Sequence, residues 1–297
     1  MNIYDFKNEL YSSTVKKIIL DTDTYNEIDD QFALSYAALA TDKIELLSIN
    51  AAPFFNTNSE GPKDGMEKSY HEIIKLLGML KKDYPVYRGS EDYLKDEVTP
   101  QPSDAADNII RTALSMPEGE LLYVVAIGAI TNVASALLKA PEIASRIAII
   151  WLGGHDYSFP NTNEFNMGQD VAASRVVFNS TALLLQVPCM GVCNLLTTTP
   201  AELKHYLGGK NELCDYLVNI VDECCRPFMC GSRVIWDVSA VAMLALPTAL
   251  DPVVIPRPVL TYEHYYGIDP GRPPMLYVRH LNRDAIFADL FTKLAAL

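Results

Sequence analysis

Ile18-Ile19-Leu20-Asp21-Thr22-Asp23-Thr24-Tyr25-Asn26-Glu27-Ile28-Asp29-Asp30 decides the reading of this chain. The apolar run is short and breaks directly into Asp-x-Asp. That pattern predicts a buried strand whose carboxyl end opens into an acidic loop, at the edge where α/β sheets bind ligands. Four aspartates and Glu27 repel one another at short range. They coexist only where some are solvated, some are protonated, or a cation sits among them. Hard oxygen donors select Ca2+ or Mg2+ over zinc or copper. Two plainer readings compete. Asp is a common turn residue and helix N-cap. Asp-x-Asp after a strand also half-fits a Mg2+-dependent phosphatase with an aspartate nucleophile, but that class carries Thr or Val where this chain has Tyr25.

Outward from the loop, strand-like and helix-like runs alternate. Strands are predicted over residues 17–21, 44–50, 86–87, 121–127, 147–152 and 183–187. An amphipathic helix is predicted over 28–40, with others over 67–80, 103–115, 132–139 and 171–179. Such alternation predicts a parallel sheet with helices on both faces, and continuous apolarity within the strands agrees. From about residue 200 the pattern turns mainly helical, through 237–246. A few strands and a last helix over 283–297 complete the tail. The expected fold is α/β: one domain over 1–297, with a mostly parallel open sheet and a helical C-terminal portion.

The composition, 49% hydrophobic and 21% charged over 297 residues, is that of an ordinary globular protein. No Gly/Ser or Pro tract marks a linker. The net charge of −13 comes without a Lys/Arg cluster, which excludes a polynucleotide surface and suits a small neutral ligand or a cation. Residues 1–17 mix acids and bases, unlike a signal peptide, and the longest apolar stretch, 121–130, is too short to span a bilayer. A cytoplasmic location without a membrane partner is therefore expected. Six cysteines contain no Cys-x-x-Cys pair, so reduced thiols rather than a zinc site are expected, four of them (214 to 230) on one helix.

Most predicted strand ends carry polar residues. The second strand offers Asn50, then Asn56 and Asn58. The strand at 121–127 runs into Gly128-Ala129-Ile130-Thr131-Asn132, where a backbone carbonyl can face a cation. The strand at 147–152 runs into Gly153-Gly154-His155-Asp156 and then Asn161-Thr162-Asn163-Glu164-Phe165-Asn166, whose amides and carboxylate suit vicinal hydroxyls or, equally, a polar surface loop. Trp236-Asp237 opens an apolar helix, where Asp237 reads as a possible N-cap and Trp236 as possible core.

In this order the pieces resemble the inosine–uridine-type nucleoside hydrolases. That family shows Asp-x-Asp-Pro-Gly-x-Asp-Asp, Gly-x-Leu-Thr-Asn, Gly-Gly…Glu-Phe-Asn, and a late Asp opening a helix. The chain matches with Asp21, Asp23, Asp29 and Asp30, with Gly128 to Asn132, with Gly153-Gly154…Glu164-Phe165-Asn166, and with Asp237; Asp170 extends the match. The resemblance implies an N-ribohydrolase that uses one Ca2+ and no organic cofactor. Asp23, Asp30, the Ile127 carbonyl and Asp237 would ligate calcium, and Asp23 would be the general base. Asp29, Asn56, Asn161, Glu164 and Asn166 would hold the ribose, with Asp21 supporting the loop from behind. The partner would be a nucleoside, and the assembly a homodimer or homotetramer.

Two departures from the family pattern shape the expectation. The acidic loop is two residues longer, with Thr24-Tyr25-Asn26-Glu27 in place of Pro-Gly, so Tyr25 or Glu27 can reshape the pocket. Trp236 stands where many members place a histidine acid, and stacking by Trp leans the substrate towards purines. His155, after Gly153-Gly154 near the site, is then the candidate substrate-contacting histidine and leaving-group acid. A non-catalytic riboside- or calcium-binding homologue is the alternative that these departures leave.

Overall fold

The computed structural model describes residues 1–297. Twelve strands form: β1 (Lys16–Thr22), β2 (Ile44–Ala51), β3 (Val86–Arg88), β4 (Leu122–Ala126), β5 (Ile147–Leu152), β6 (Leu183–Val187), β7 (Thr197–Thr198), β8 (Arg233–Val234), β9 (Leu250–Pro256), β10 (Val259–Leu260), β11 (Tyr266–Gly267) and β12 (Pro274–Leu281). Eight of them make one sheet in the order β3-β2-β1-β4-β5-β6-β12-β9. All its pairs are parallel except β12 with β9. The mostly parallel α/β fold expected from the sequence is therefore the fold observed.

Continuous apolarity arises because both faces of each central strand are covered. Tyr123 and Val125 of β4 enter one core, while Leu122, Val124 and Ala126 enter the other. Successive side chains on a strand point to opposite faces, so both faces must be apolar here. The strand order also locates the ligand edge. From β1 the chain steps out to β2 and β3, then returns to β4 on the other side of β1 and continues to β5 and β6. The carboxyl ends of β1 and β4 flank that reversal, where a crevice opens in doubly wound sheets.

Several elements differ from their sequence reading. The helix expected to be amphipathic, observed at Asp30–Leu39, is buried on nearly every side. It is enclosed by the helices Val238–Ala245, Pro62–Leu80 and Arg283–Ala295. Its polar groups are met internally, as where Ser35 Oγ donates to the Gln31 carbonyl. A first helix, Ile3–Leu10, buries Phe6 and Leu10 and is capped by Asn2, yet its mixed charge hid it. The tail past residue 249 supplies β9 and β12 to the main sheet as well as helix. Cys230 lies beyond the helix Glu212–Cys225 and is exposed, while Cys189, Cys193, Cys214 and Cys225 are buried free thiols. No helix is long and apolar enough to cross a membrane.

Candidate active site

Three elements deliver carboxylates to the crevice. Asp21, one residue before the end of β1, is in register with Asn50 of β2 and Ala126 of β4. The chain then turns sharply, the Tyr25 and Asn26 N–H groups both donating to the Asp23 carbonyl at 2.6 and 2.7 Å. Asp29 and Asp30 stand at the start of the helix Asp30–Leu39, and Asp237 stands before Val238–Ala245. The plainer N-cap reading fails on geometry, because neither Asp29 nor Asp237 makes a side-chain cap bond. Their carboxylates turn instead towards Asp30, and one oxygen from each of Asp29, Asp30 and Asp237 lies within 4.8 Å of the others. The charges of Asp30 and Asp29 bear on Asp23 as well.

All four carboxylates are buried, with Asp23 fully so. Both oxygens of Asp23, and Oδ1 of Asp21, have no hydrogen-bond partner. Burial drives the Asp23 pKa well above the usual carboxylate range, and the charges of Asp30 and Asp29 push it further. Asp237 is raised by burial and then by Asp29, Asp30 and Asp23. Asp30 is raised to about 6, burial outweighing the hydrogen bond from Thr22, and Asp29 is raised by burial and Glu27 against the pull of Arg233. Behind them Asp21 accepts from Asn132 Nδ2 at 3.0 Å and is raised by burial to about 7. Orphaned buried oxygens, all of them hard donors, fit an alkaline-earth cation, which would hold these groups ionised. Ligation by one of them would also satisfy Asp23.

The cavity above the cluster holds about 200 Å³, room for roughly seven waters or one small organic molecule. Asp29, Asp237, the Ile127 segment, Glu164, Asn166, His155 and Trp236 line it, as do Asn26 and Glu27 from the lengthened loop. Glu164 accepts from the N–H groups of Gly154, Asn166 and Met167, which pins the loop that carries it. Asn166 Nδ2 donates to the Ile127 and Leu152 carbonyls at 3.2 and 3.0 Å, leaving its oxygen free. His155 packs on Phe159 with ring centroids 5.5 Å apart, its Nδ1 buried without a partner, and burial lowers its pKa against the pull of Glu164. The Trp236 backbone N–H donates to Asp29 Oδ2 at 3.1 Å, tying the two walls together.

Two glycines permit this packing. Gly128 lies against Asp23, where an added Cβ would come within 3.0 Å of the carboxylate carbon. Gly154 has φ +79, and a Cβ there would stand 2.1 Å from Tyr266 Oη. Gly154→Ala is expected to cost about 2–4 kcal/mol and to loosen Glu164, so a thermal melt and the KM for substrate should both shift. An unchanged melt would show that the loop absorbs the methyl.

Across 18–272 the sequence matches the family model described as inosine-uridine preferring nucleoside hydrolase. The chain belongs to that family. The match settles the choice against the phosphatase reading. An uncharacterized protein of Schizosaccharomyces pombe is 28% identical over 58% of this chain and 60% of its own length. The pyrimidine-specific ribonucleoside hydrolase RihA of Klebsiella pneumoniae is 24% identical over 69% of this chain and 70% of its own. The solved structure of a purine-preferring ribonucleoside hydrolase from Gardnerella vaginalis superposes with a TM-score of 0.76 at 22% identity, covering 95% of this chain and 98% of that one. This nucleoside hydrolase-family chain thus resembles relatives with opposite base preferences.

Not every candidate from the sequence reaches the cavity. Asn161 is exposed and accepts from the Asn163 N–H in a local turn. Asn56 sits behind the wall, bonded to Asn26. Tyr25 is 44% exposed and points away, whereas Glu27 lines the cavity and pairs with Arg233. Phe165 of the Glu-Phe-Asn motif also lines it, and Leu152, Cys189 and Met190, which no motif had marked, complete the lining. Cys189 and Met190 follow β6, so the rule that ligands gather past strand ends would have found them.

Proposed function

We propose that the chain is a Ca2+-dependent N-ribohydrolase, cleaving the N-glycosidic bond of a ribonucleoside with water to give free base and ribose. The observation that carries this reading is the buried set Asp23, Asp29, Asp30 and Asp237 at the carboxyl edge of the sheet, in which neither oxygen of Asp23 has a hydrogen-bond partner. Asp23, Asp30, Asp237 and the Ile127 carbonyl would hold the ion. When bound, calcium supplies Lewis acidity that makes water a better nucleophile at neutral pH.

The remaining chemistry belongs to the chain. Asp23 takes the proton of the attacking water. Asp29, Glu164 and the free oxygen of Asn166 orient the ribose hydroxyls. As the C1′–N bond breaks its electron pair leaves with the base, and positive charge builds on the ribose. The surrounding carboxylates stabilise that charge. The Trp236 ring stacks on the base, which favours purines. His155, with its pKa lowered by burial, is neutral near pH 7 and offers the base a hydrogen bond.

The test is product release from inosine, adenosine, guanosine, uridine and cytidine, with calcium and after chelation. Calcium-dependent appearance of base and ribose is expected, purines first. Tight binding without product would identify a riboside-binding homologue instead. Trp236→Ala should raise KM for purine nucleosides by about tenfold, since stacking on an aromatic ring is worth about 1–3 kcal/mol. Equal losses for uridine would show that the ring only packs.

A further inference from the structure

We propose that Asn26 is a specificity-determining residue that meets the substrate with its amide N–H groups, and that Asn56 and Asn58 are positioning residues acting through it. The proposal rests on the hydrolase reading and concerns the same cavity.

The lengthened loop is a braced wall. From beneath, Gln31 Nε2 donates to the Thr24 carbonyl at 3.0 Å and to the Glu27 carbonyl at 3.5 Å. On one side Glu27 pairs with Arg233 of β8. On the other, Asn56 Nδ2 donates to both the backbone carbonyl and Oδ1 of Asn26, at 3.2 and 2.6 Å, and Asn58 Nδ2 donates to that carbonyl at 2.9 Å. Asn26 is only 8% exposed and lines the cavity beside Glu27. Both of its oxygens are occupied, and its backbone N–H is spent on Asp23. The side-chain NH2 is the one polar group left, and it has only donors to give. It therefore reads an acceptor on the ligand, an ether or carbonyl oxygen or a ring nitrogen.

The same bonds remove Asn56 from direct contact. Its NH2 faces Asn26, and its Oδ1 accepts from the Asn58 N–H at 2.7 Å. Asn56 does not line the cavity. The ribose role that resemblance assigns to it is replaced by a role in holding Asn26.

A double-mutant cycle separates direct from indirect action, because residues acting through one another are not additive. Asn26→Ala, Asn56→Ala and the double variant are compared by KM and kcat on the best nucleoside, and by calorimetric affinity for the C-nucleoside formycin B. Each single change should raise KM and Kd about tenfold, the loss of roughly one hydrogen bond, with kcat within about threefold. The double variant should be no worse than Asn26→Ala. Additive losses would overturn the proposal, since Asn56 would then touch substrate independently. Asn26→Asp keeps the oxygen that Asn56 grips but loses the donors. The carboxylate it adds beside Asp23 and Glu27 should lower the melt, and the variant should bind no better than Asn26→Ala; unchanged KM in it would also overturn the proposal. A wild-type protein that neither hydrolyses nucleosides nor binds formycin B would instead refute the hydrolase reading, and this inference with it.

Discussion

Asp23→Asn is expected to abolish turnover and, in the presence of a chelator, to raise the melting temperature. The first effect follows from losing the proposed general base, a role worth about 10²- to 10⁴-fold, together with one oxygen of the proposed metal site. The second follows from the metal-free cluster itself. Asp23 is fully buried, neither oxygen has a partner, and Asp30 and Asp29 raise its pKa beyond what burial does. A neutral amide of the same size relieves that conflict, and roughly 1–3 kcal/mol is the usual scale for an unsatisfied buried polar group. Sites that hold such conflicts lose function when the conflict is removed. Product release and a thermal melt in EDTA check both halves. Retained hydrolysis would remove Asp23 as general base, and a lower melting temperature would mean that the buried carboxylate was not in conflict.

Metal removal should matter more as pH rises. Without a cation, Asp30 and Asp21 are lifted by burial to about 6 and about 7, from 3.8. A carboxyl group whose folded pKa is raised stabilises the fold fully below its unfolded value, and that stability is lost as pH climbs through the folded one. The metal-free protein should therefore weaken between about pH 4 and pH 7. Calcium bound at the proposed site would take the ionised carboxylates and release their protons, and so offset this loss. The gap in melting temperature between calcium-loaded and chelated protein should be small at pH 5 and widen to pH 8. Because binding only to the folded state stabilises it by RT ln(1 + [L]/Kd), calcium at a thousandfold its Kd would contribute about 4 kcal/mol at the upper end. A gap that does not change with pH would mean the cluster is ionised without metal.

The framework was legible where the physics is local. Strands 147–152 and 183–187 and the helix 171–179 are observed over the residues read from the sequence, because unbroken apolar runs bounded by turn residues admit few alternatives. Ser103 and Asp170 cap helices, accepting from the Ala106 and Ala173 N–H groups. The crevice was legible because polar residues just past apolar strands have no core to enter. What stayed hidden depends on distant partners. The helix Asp30–Leu39 looks amphipathic until three other helices enclose it. The hydroxyl of Tyr266 reaches Gln186 and Thr162 behind Gly154 only because the tail folds back. Asn26 lay unmarked in the sequence, since its place depends on hydrogen bonds from a loop some thirty residues on.

The most direct measurement is a calorimetric calcium titration of chelator-treated protein at pH 7, in two buffers of different ionisation enthalpy. One ion per chain is expected, with net proton release and with both signals lost in Asp30→Asn. No binding, or binding that survives Asp30→Asn, would contradict a calcium centre built from these carboxylates.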